Sequence, residues 1–506
     1  MYLYNTNKQT KSVMAELSIY QKAIKEAYTQ TKDNLVVEAC PGSGKTFTLL
    51  LLAKETPLLK KSIFLAFNKS IAEELKRKLP SHISSMTLHS LGMRSLLRHY
   101  GSLKVNENKT FILARKNLDL SRLKEDKEIL SRINELCKLY DLYRMNLVED
   151  IEQLNDLAFQ FDCSFSEEIK QDFVNLLSVM DDYNRKIKKG YMIDFTDMLY
   201  LCTKLRNDSF DKYDIVFIDE CQDLNPLQKT MVELIKKPTS RQISVGDSKQ
   251  CIYTFAGASL NSFEYFKQQS HTTTLPLSVT YRCAKSITEE ANKVFPGMES
   301  FSSNEEGSVS RGSYKDIKEG DFVLCRNNKP LVKLYIKLLA EGKKATIYGK
   351  EYGESLLRLL KNTDAKSYQD LIDHLQVKKN EIISELKEKG VAPGAINNHP
   401  RLVAFTEMSD ILLILLEETQ HLSIEKIKEM IQGMFSSSLN KGVTLMSCHK
   451  SKGLENDRVF ILDIELIPSI HANSQQMLYS EYCLKYVAIT RAKKELIYIS
   501  SKEFDY

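Results

Sequence analysis

Short runs of apolar and β-branched residues recur along the chain, and stretches with helical periodicity separate them. The runs are NLVVEAC, SIFLAFN, DIVFIDE, RQISVGD, DFVLCRN, VTLMSC and DRVFILDIE. Continuous apolar strands that alternate with helices are typical of parallel sheets covered by helices on both faces. The runs fall into two clusters, near 34–258 and 275–499, so the sequence predicts an α/β protein with two sheet domains.

Each predicted sheet domain contains a long segment with helical periodicity. In the first segment Ile129, Ile133, Leu136 and Tyr140 are spaced by four, three and four residues, the spacing of one helix face. We expect 296–313 to be an exposed connection, since it is rich in Ser, Gly and Glu. The expected boundaries are 1–101 and 190–272 for the first sheet domain, 102–189 for its helical insertion, 273–354 and 441–506 for the second sheet domain, and 355–440 for a smaller helical insertion.

The composition narrows the class of protein. The chain has 506 residues with 42% hydrophobic and 27% charged residues, typical of soluble globular proteins with several domains. The net charge is +5, so any affinity for nucleic acid must come from local grooves. Ten cysteines occur without a C-x-x-C pair, which favours reduced thiols over a zinc or iron–sulfur site. With no signal peptide and no long apolar run, we expect a cytoplasmic protein that does not contact a membrane.

A glycine-rich turn, ACPGSGKT, joins the first predicted strand to the helical stretch TFTLLLLAKE. Gly42 and Gly44 allow backbone N–H groups to close around phosphate oxygens, and the start of the helix adds a partial positive charge. Lys45 would reach the β and γ phosphates, and Thr46 would hold Mg²⁺. The sequence therefore predicts a phosphate site made by Pro41, Gly42, Ser43, Gly44, Lys45 and Thr46.

Acidic residues follow a second buried strand, DIVFIDE. Asp219 at the strand tip would bind the same Mg²⁺ as Thr46, and Glu220 would accept the proton of an attacking water. The alternative is a solvated acidic strand end without a ligand. Because the strand follows a phosphate-binding turn at the distance of one α/β domain, the catalytic interpretation is favoured.

The motifs LSIYQ, ACPGSGKT, DECQD, VGDSKQCIYTFAGA, LSVTYRC, CHKSKGLE and YVAITRA occur in the order of the UvrD/Rep-type (superfamily 1A) DNA helicases. The chain resembles this family over residues 17–496, as a compact bacterial or phage member would. The resemblance implies two RecA-like P-loop domains with ATP and Mg²⁺ in the cleft between them. It also implies 3′ to 5′ movement on single-stranded DNA, with duplex unwinding driven by opening and closing of the cleft.

Positions that match the family motifs are assigned roles by the resemblance. Catalytic roles fall to Lys45, Glu220, Gln250 as γ-phosphate sensor, Arg282 as γ-phosphate contact and Arg491 as arginine finger. Nucleotide contacts fall to Gln21 at the adenine, Tyr281 stacked on the base, and Lys452, Gly453 and Glu455 at the phosphates and ribose. Residues from both domains would thus meet on one γ-phosphate, so that hydrolysis removes the bridge between them.

A motor on single strands needs aromatic platforms and backbone contacts, because stacking tolerates every base. The candidates are Phe67, Asn68, Lys69, Thr87, His89, Tyr253, Phe255 and His449. The alternative for the aromatic residues is a place in the core, and for His89 a hydrogen bond that organises its loop. The chain has no tryptophan, so the Trp-Arg pair frequent in the family is Phe255-Ala256 here, which keeps a ring without the arginine. DFTDML, with Asp194 and Asp197, resembles a family segment but receives no role.

The expected partners are single-stranded DNA and junctions of single and double strands, bound by a monomer or a weak oligomer. Repair and replication are processes that use such a machine. An alternative is a nucleotide-gated DNA-binding accessory or defence protein that translocates or switches partners without productive unwinding. A helicase–nuclease subunit is a further alternative; since the chain ends 15 residues after Arg491, we expect cutting to require a partner protein. Hydrolysis that depends on single strands would favour the motor.

Overall fold

A computed structural model describes residues 17–66, 68–123, 126–160, 163, 165–205, 210–252, 262–363, 365, 367–388, 391, 393–417, 424–438, 442–472 and 474–504. The strands in these ranges are β1 (Asn34–Ala39), β2 (Ser62–Leu65), β3 (Ile83–Met86), β4 (Lys104–Val105), β5 (Met192–Ile193), β6 (Tyr213–Ile218), β7 (Lys236–Gly246), β8 (Thr272–Leu277), β9 (Val279–Thr280), β10 (Glu299–Ser300), β11 (Ser308–Arg311), β12 (Phe322–Cys325), β13 (Ala345–Tyr348), β14 (Phe435–Ser436), β15 (Val443–Ser447), β16 (Asn456–Leu462) and β17 (Ala492–Ile499).

The α-helices in the same ranges are α1 (Ile19–Gln30), α2 (Lys45–Lys54), α3 (Lys69–Lys78), α4 (Leu88–Tyr100), α5 (Lys109–Asn117), α6 (Asp126–Met145), α7 (Ile151–Gln160), α8 (Glu167–Arg185), α9 (Asp197–Tyr200), α10 (Pro226–Leu234), α11 (Ser262–Lys267), α12 (Lys285–Asn292), α13 (Asn328–Ala340), α14 (Lys350–Asn362), α15 (Tyr368–Glu388), α16 (Pro393–Ile396), α17 (Pro400–Glu417), α18 (Ile424–Met434) and α19 (Gln475–Ile489). Across the part of the chain that is described, no helix is both long enough and apolar enough to span a lipid bilayer.

The first sheet has the strand order β3-β2-β6-β7-β1-β8, and its strand pairs are parallel. Its central strands are apolar because helices cover both faces, and Leu35, Val36 and Val37 of β1 are fully buried. In a parallel sheet all strands end at the same edge. The turns that follow β1, β6 and β7 therefore lie side by side, and the predicted α/β class with parallel sheets is confirmed.

The first sheet extends beyond the boundary expected at residue 272. Strand β8 pairs with β1 along its whole length, from Asn34 opposite Thr272 to Ala39 opposite Leu277. Because the second cluster was expected to begin near residue 275 and the boundary to fall at 272, this strand was expected in the second sheet domain. Backbone pairing with β1 places it in the first sheet domain, which we call the first lobe and which runs to Leu277. The chain then crosses directly to the second sheet domain, the second lobe.

A helical segment interrupts the first lobe. Strands β4 and β5 pair in parallel at its entrance and exit, and α5, α6, α7 and α8 pack around a core of their own. The predicted periodicity is confirmed in α6, where Ile133, Leu136 and Tyr140 are buried and Ile129 is partly buried.

The second sheet has the order β11-β17-β16-β12-β15-β13-β14, and its strand pairs are also parallel. The segment 296–313 is largely exposed, as expected, but it is more than a connection because it contains two short strands. Within it β10 pairs with β9, and β11 pairs with β17 at the edge of the sheet. Both strands are short, polar and largely exposed, so hydrophobic patterning could not mark them.

A second set of helices, α14 to α18, packs with α13 against one face of the second sheet. This set begins at Lys350, before the expected residue 355. It is followed by β14, whose residues Phe435 and Ser436 pair with Ile347 and Tyr348 of β13. The chain therefore returns to the second sheet before the expected residue 440.

Candidate functional site

The glycine-rich turn between β1 and α2 lies where the two lobes touch. Gly42 and Gly44 have φ angles of +70° and +80°, a backbone conformation that residues with a side chain rarely adopt. A Cβ on Gly42 would lie 2.3 Å from the Cβ of Arg282, and the Tyr281 N–H donates to the Gly42 carbonyl at 2.9 Å. Glycine is thus required both by the turn and by the close approach of the second lobe. The remaining members of the predicted turn, Pro41 and Ser43, are buried.

Two pairs of predicted residues meet at the edge of the first sheet. The Thr46 Oγ1 donates to Asp219 Oδ2 at 3.0 Å. Lys45 Nζ lies 3.1 Å from the carboxylate of Glu220. Asp219 and Glu220 follow β6 directly, while Lys45 and Thr46 open α2, so adjacent strand ends bring together groups that are far apart in sequence.

The charges in this cluster compensate one another. Burial alone would lower the pKa of Lys45, but Glu220, Asp247 and Asp219 outweigh it and raise that pKa. Burial would raise the pKa of Glu220, but Lys45 and Lys452 hold it well below its ordinary value. Burial and the neighbouring Glu220 carboxylate raise the pKa of Asp219. Glu220 is therefore ionised at neutral pH and paired with a charged lysine.

The carboxylate of Glu220 is held in a defined position. The residue has φ +52° and ψ +43°, a left-handed conformation that is uncommon outside glycine and costs about 1–3 kcal/mol. Gln222 Nε2 donates to Glu220 Oε2 at 2.7 Å, and Gln222 Oε1 accepts from the Asp247 N–H at 3.1 Å. A Cβ on Gly246 would lie 2.4 Å from Gln222 Oε1. The turn after β7 thus buttresses the side chain that orients Glu220.

The turn after β7 also receives a lysine from the second lobe. Gln250 Nε2 donates to Asp247 Oδ2 at 2.7 Å. Lys452 Nζ donates to the Gln250 carbonyl at 2.7 Å and to both carboxylate oxygens of Asp223 at 2.8 and 2.7 Å. Gly453 follows with φ +84°. Asp223 was not among the predicted residues, although its place as the last acid of DECQD was a signal that could have found it.

The two predicted arginines of the second lobe differ in their partners. Arg282 forms an ion pair with Glu455, another predicted residue. Arg491 is 1% exposed, and its guanidinium donates to the carbonyls of Val487 and Leu454 at 2.9 and 3.1 Å. Within the described residues no carboxylate forms an ion pair with Arg491. Burial and the nearby Arg282 lower the pKa of Arg491 to about 10, so this buried cation favours an anionic ligand.

Gln21 and Tyr281 lie together beside the start of α2. Gln21 is buried and forms a capping box with Ser18 at the start of α1. Its amide nitrogen donates to Thr48 Oγ1 at 3.4 Å, and its oxygen accepts from the Tyr281 hydroxyl at 3.4 Å. The Tyr281 ring packs against Phe301, with ring centroids 4.8 Å apart, and is still 36% exposed. An aromatic face and an amide are thus available together for a planar ligand.

Four of the predicted nucleic-acid residues line one surface cavity of about 930 Å³. Asn68 and Thr87 use their side-chain oxygens to cap α3 and α4, which fixes the cavity wall. Phe195 is 48% exposed, and its ring centroid lies 6.4 Å from that of His89. The lining residues are Asn68, Lys69, Thr87, His89, Ser90, Met93, Arg94, Leu97, Arg98, Phe195 and Met198. Phe195, Arg94 and Arg98 escaped prediction; an aromatic residue between the aspartates of DFTD was the available signal.

The other predicted nucleic-acid residues are placed differently. Phe67, Tyr253 and Phe255 lie outside the described residues. His449 lies two residues after the end of β15 and is partly buried. Burial and the nearby Arg326 lower the pKa of His449 to about 4, so its ring is neutral at physiological pH.

The chain matches two family models. Residues 20–271 match the UvrD/REP helicase N-terminal domain, and residues 442–499 match the UvrD-like helicase C-terminal domain. The first match contains the glycine-rich turn and the DECQD segment, and the second contains the segments of Lys452 and Arg491. Both lobes of the cleft are therefore represented in the matches.

Relatives of known name extend the similarity over most of the chain. F-box DNA helicase protein 1 of Schizosaccharomyces pombe is 24% identical, over 95% of this chain and 57% of that protein. ATP-dependent DNA helicase PcrA of Leuconostoc citreum is 25% identical, over 53% of this chain and 38% of that protein. PcrA of Staphylococcus aureus is 22% identical, over 94% of this chain and 82% of that protein. The matched regions thus span 57% and 38% of the lengths of the first two relatives.

Proposed function

The chain belongs to the UvrD/Rep family of helicases, and on this premise we propose that it is an ATP-dependent DNA helicase that moves 3′ to 5′ on single strands. The observation that carries the proposal is the pairing of Lys45 with Glu220 and of Thr46 with Asp219 beside second-lobe residues. A lysine, a hydroxyl and two carboxylates at the end of a parallel sheet are what phosphoryl transfer requires. The names of the PcrA relatives agree with this activity.

Thr46 and Asp219 fit a magnesium ion. Their oxygens lie 3.0 Å apart, and hydroxyl and carboxylate oxygens are the ligands that Mg²⁺ prefers. No group of three or more His, Cys, Asp or Glu among the described residues is placed to hold a metal. Mg²⁺ bound with a nucleotide usually takes only one or two protein ligands, because phosphate and water oxygens complete its shell. The bound ion would neutralise charge on the phosphates.

Glu220 is the proposed general base. Its carboxylate forms an ion pair with Lys45. We propose that the β and γ phosphates draw Lys45 away, which leaves Glu220 ionised and held by Gln222. The attacking water then gives its proton to Glu220 while its oxygen bonds to the γ phosphorus. The bond from that phosphorus to the bridging oxygen breaks, and ADP and phosphate are the products.

Cations of the second lobe would couple hydrolysis to movement. We propose that Arg282 and Arg491 contact the γ-phosphate, so that its loss removes attraction between the lobes. The Arg491 guanidinium is buried and held by backbone carbonyls, an arrangement suited to an anion. The contact of Lys452 with Asp223 shows that the lobes already touch beside the site. Gln21 and Tyr281 would bind the adenine. The segments near 102–189 and 355–440 would act as inserted subdomains.

The cavity beside α4 is the proposed start of the DNA track. Phe195 and His89 would stack on bases, while Lys69, Arg94 and Arg98 would attract the phosphates. The sequence places Phe67, Tyr253, Phe255 and His449 on the same track by resemblance. Single strands and their junctions with duplex are the proposed partners, and a monomer suffices for the machine described.

Strand displacement tests the proposal. Duplexes with a 3′ or a 5′ single-stranded tail are incubated with the protein, with and without ATP. We expect ATP-dependent displacement of the 3′-tailed duplex only, and none with Glu220→Gln. Hydrolysis and translocation without displacement would instead favour the nucleotide-gated accessory protein, and displacement from the 5′ tail alone would reverse the proposed direction.

A further inference from the structure

Five charged residues form a cluster where the helical segment joins the first lobe. Arg144 donates to Asp194 at 2.8 and 3.0 Å, to Asp197 at 2.7 Å and to Asp141. Lys109 forms an ion pair with Asp197 and lies 3.9 Å from Asp194. We call these five residues the junction cluster.

Four of the five residues of the junction cluster are buried to a degree that is rare for charges, while the Asp141 side chain is 47% exposed. The side chains of Lys109 and Asp197 are 0% exposed and that of Arg144 is 1% exposed. The Arg144 guanidinium also lies over the Tyr140 ring, 4.2 Å from its centroid. Burying charges costs more than packing apolar side chains of the same size, so such a network is weak evidence for stability. Fixing one geometry is its better attested use.

The geometry that the cluster fixes is that of Phe195. The Asp194 N–H donates to Asp197 Oδ2 at 2.9 Å, and the Asp197 N–H donates to Asp194 Oδ1 at 2.8 Å. The two aspartates thereby close the turn 194–197 into a ring of hydrogen bonds. Phe195 stands in that turn, half exposed, and lines the cavity beside His89. The two cations that pair with these aspartates lie on other helices. Lys109 is the first residue of α5, and Arg144 lies near the end of α6.

We propose that Arg144 and Lys109 are positioning residues for the Phe195 ring, and that through them the orientation of the helical segment is coupled to the binding of single-stranded DNA. The inference rests on the proposed function, because it takes the cavity as part of the DNA track. Moving α5 and α6 would move the cations, the closed turn and the ring together. Neither cation would touch DNA.

The chain contains no tryptophan, so a single introduced tryptophan gives a fluorescence signal from its own position alone. In Phe195→Trp the single indole reports on the turn without any DNA. Arg144→Gln is introduced into this background, and Arg132→Gln serves as the matched control. Arg132 lies on the same helix and pairs with the buried Asp172, which Arg122 also contacts. We expect Arg144→Gln to lower the fluorescence anisotropy of the indole and shift its emission, and Arg132→Gln to change neither. Unchanged indole fluorescence in Arg144→Gln would overturn the proposal.

A double-mutant cycle then tests the coupling to DNA. Phe195→Ala is expected to weaken binding of a labelled oligodeoxythymidine about 5- to 150-fold, the loss of one stacked base. Arg144→Gln should weaken it by a similar factor, and should add little when Phe195 is already replaced by alanine. The affinity for ATP should stay constant in these variants. Independent, multiplying losses would contradict the proposal, since Arg144 would then act without Phe195.

A second variant guards against loss of folding. Lys109→Met with Asp197→Asn removes one charge of each sign, so no new unpaired charge is buried. In the Phe195→Trp background it should lower the anisotropy of the indole while thermal unfolding remains cooperative, and a retained anisotropy would count against the proposal. Failure of the wild-type protein to bind DNA at all would instead refute the proposed function. The indole fluorescence, measured without DNA, would still test the positioning of the turn separately.

Discussion

The two lobes contribute to the cleft in opposite ways. In the first lobe Lys45 forms an ion pair with Glu220, and the Thr46 hydroxyl donates to Asp219. In the second lobe Arg491 is buried on backbone carbonyls without a carboxylate partner in the described residues. The cation of the first lobe thus has an anionic partner within the protein, and this cation of the second lobe is held by carbonyl dipoles instead.

This contrast indicates how the proposed binding of ATP would act on each lobe. On the first lobe the triphosphate would replace the ion pair of Lys45 with Glu220, so separating that pair would offset part of the attraction to Lys45. On the second lobe the triphosphate would bring negative charge to Arg491, and that gain would depend on closure of the cleft. We therefore expect Lys45 of the first lobe to govern affinity and Arg491 of the second lobe to govern turnover.

The largest effect is expected from the second lobe. Arg491→Ala should lower kcat by about 10³-fold or more, as removal of an arginine finger does, with little change in the affinity for ATP. Steady-state hydrolysis with single-stranded DNA and calorimetric titration measure the two quantities. Arg311→Ala, an exposed arginine on the edge strand β11, is the control. A loss of affinity as large as the loss of turnover would contradict the assignment of Arg491 to turnover.

The next effect concerns the base. Glu220→Gln should lower kcat by about 10²- to 10⁴-fold and keep or increase the affinity for ATP, because Lys45 is then released from its ion pair. Glu264→Gln, a half-exposed glutamate of α11, should behave like the wild type. Normal hydrolysis by Glu220→Gln would rule out Glu220 as the base.

Affinity should respond most to the first lobe. Lys45→Ala removes charged hydrogen bonds to the phosphates, each worth about 1.5–3 kcal/mol, so binding of ATP should weaken about 10- to 150-fold. Calorimetry at constant Mg²⁺ measures this change. Lys54→Ala at the exposed end of the same helix is the matched control. Full affinity in Lys45→Ala would show that the triphosphate binds elsewhere.

The smallest effect tests the partner of Arg282. Arg282 and Glu455 form an ion pair whose side chains are 22% and 35% exposed. Such partly exposed pairs contribute about 0.2–1 kcal/mol. Glu455→Gln should release Arg282 and lower the KM for ATP up to about 5-fold, while the amide can still hydrogen bond to a ribose. A rise in KM would assign Glu455 to the nucleotide rather than to Arg282.

The sequence could predict what short motifs encode. The P-loop turn and DECQD each follow a buried strand, and parallel pairing forces strand ends to one edge, so the meeting of Thr46 with Asp219 was predictable. Contacts across the cleft were less accessible. The tie between Lys452 and Asp223 depends on how the lobes dock, and no local pattern records that arrangement.

Elements without hydrophobic contrast were also missed. Strands β10 and β11 are polar and lie at edges, so backbone pairing alone defines them. Strand β8, TTTLPL, is mostly polar and lay beyond the expected boundary at residue 272, although it pairs with β1 of the first sheet. Asp194 and Asp197 received no role, since nothing in DFTDML indicates that Lys109 and Arg144 reach them from two other helices.

ATP hydrolysis with and without single-stranded DNA decides whether a triphosphate held between the lobes drives a motor on DNA. We expect slow turnover by the wild-type protein alone, a strong increase on addition of oligodeoxythymidine, and no such increase in Arg491→Ala. Equal turnover with and without the oligonucleotide, at saturating ATP and Mg²⁺, would show that the protein is not such a motor.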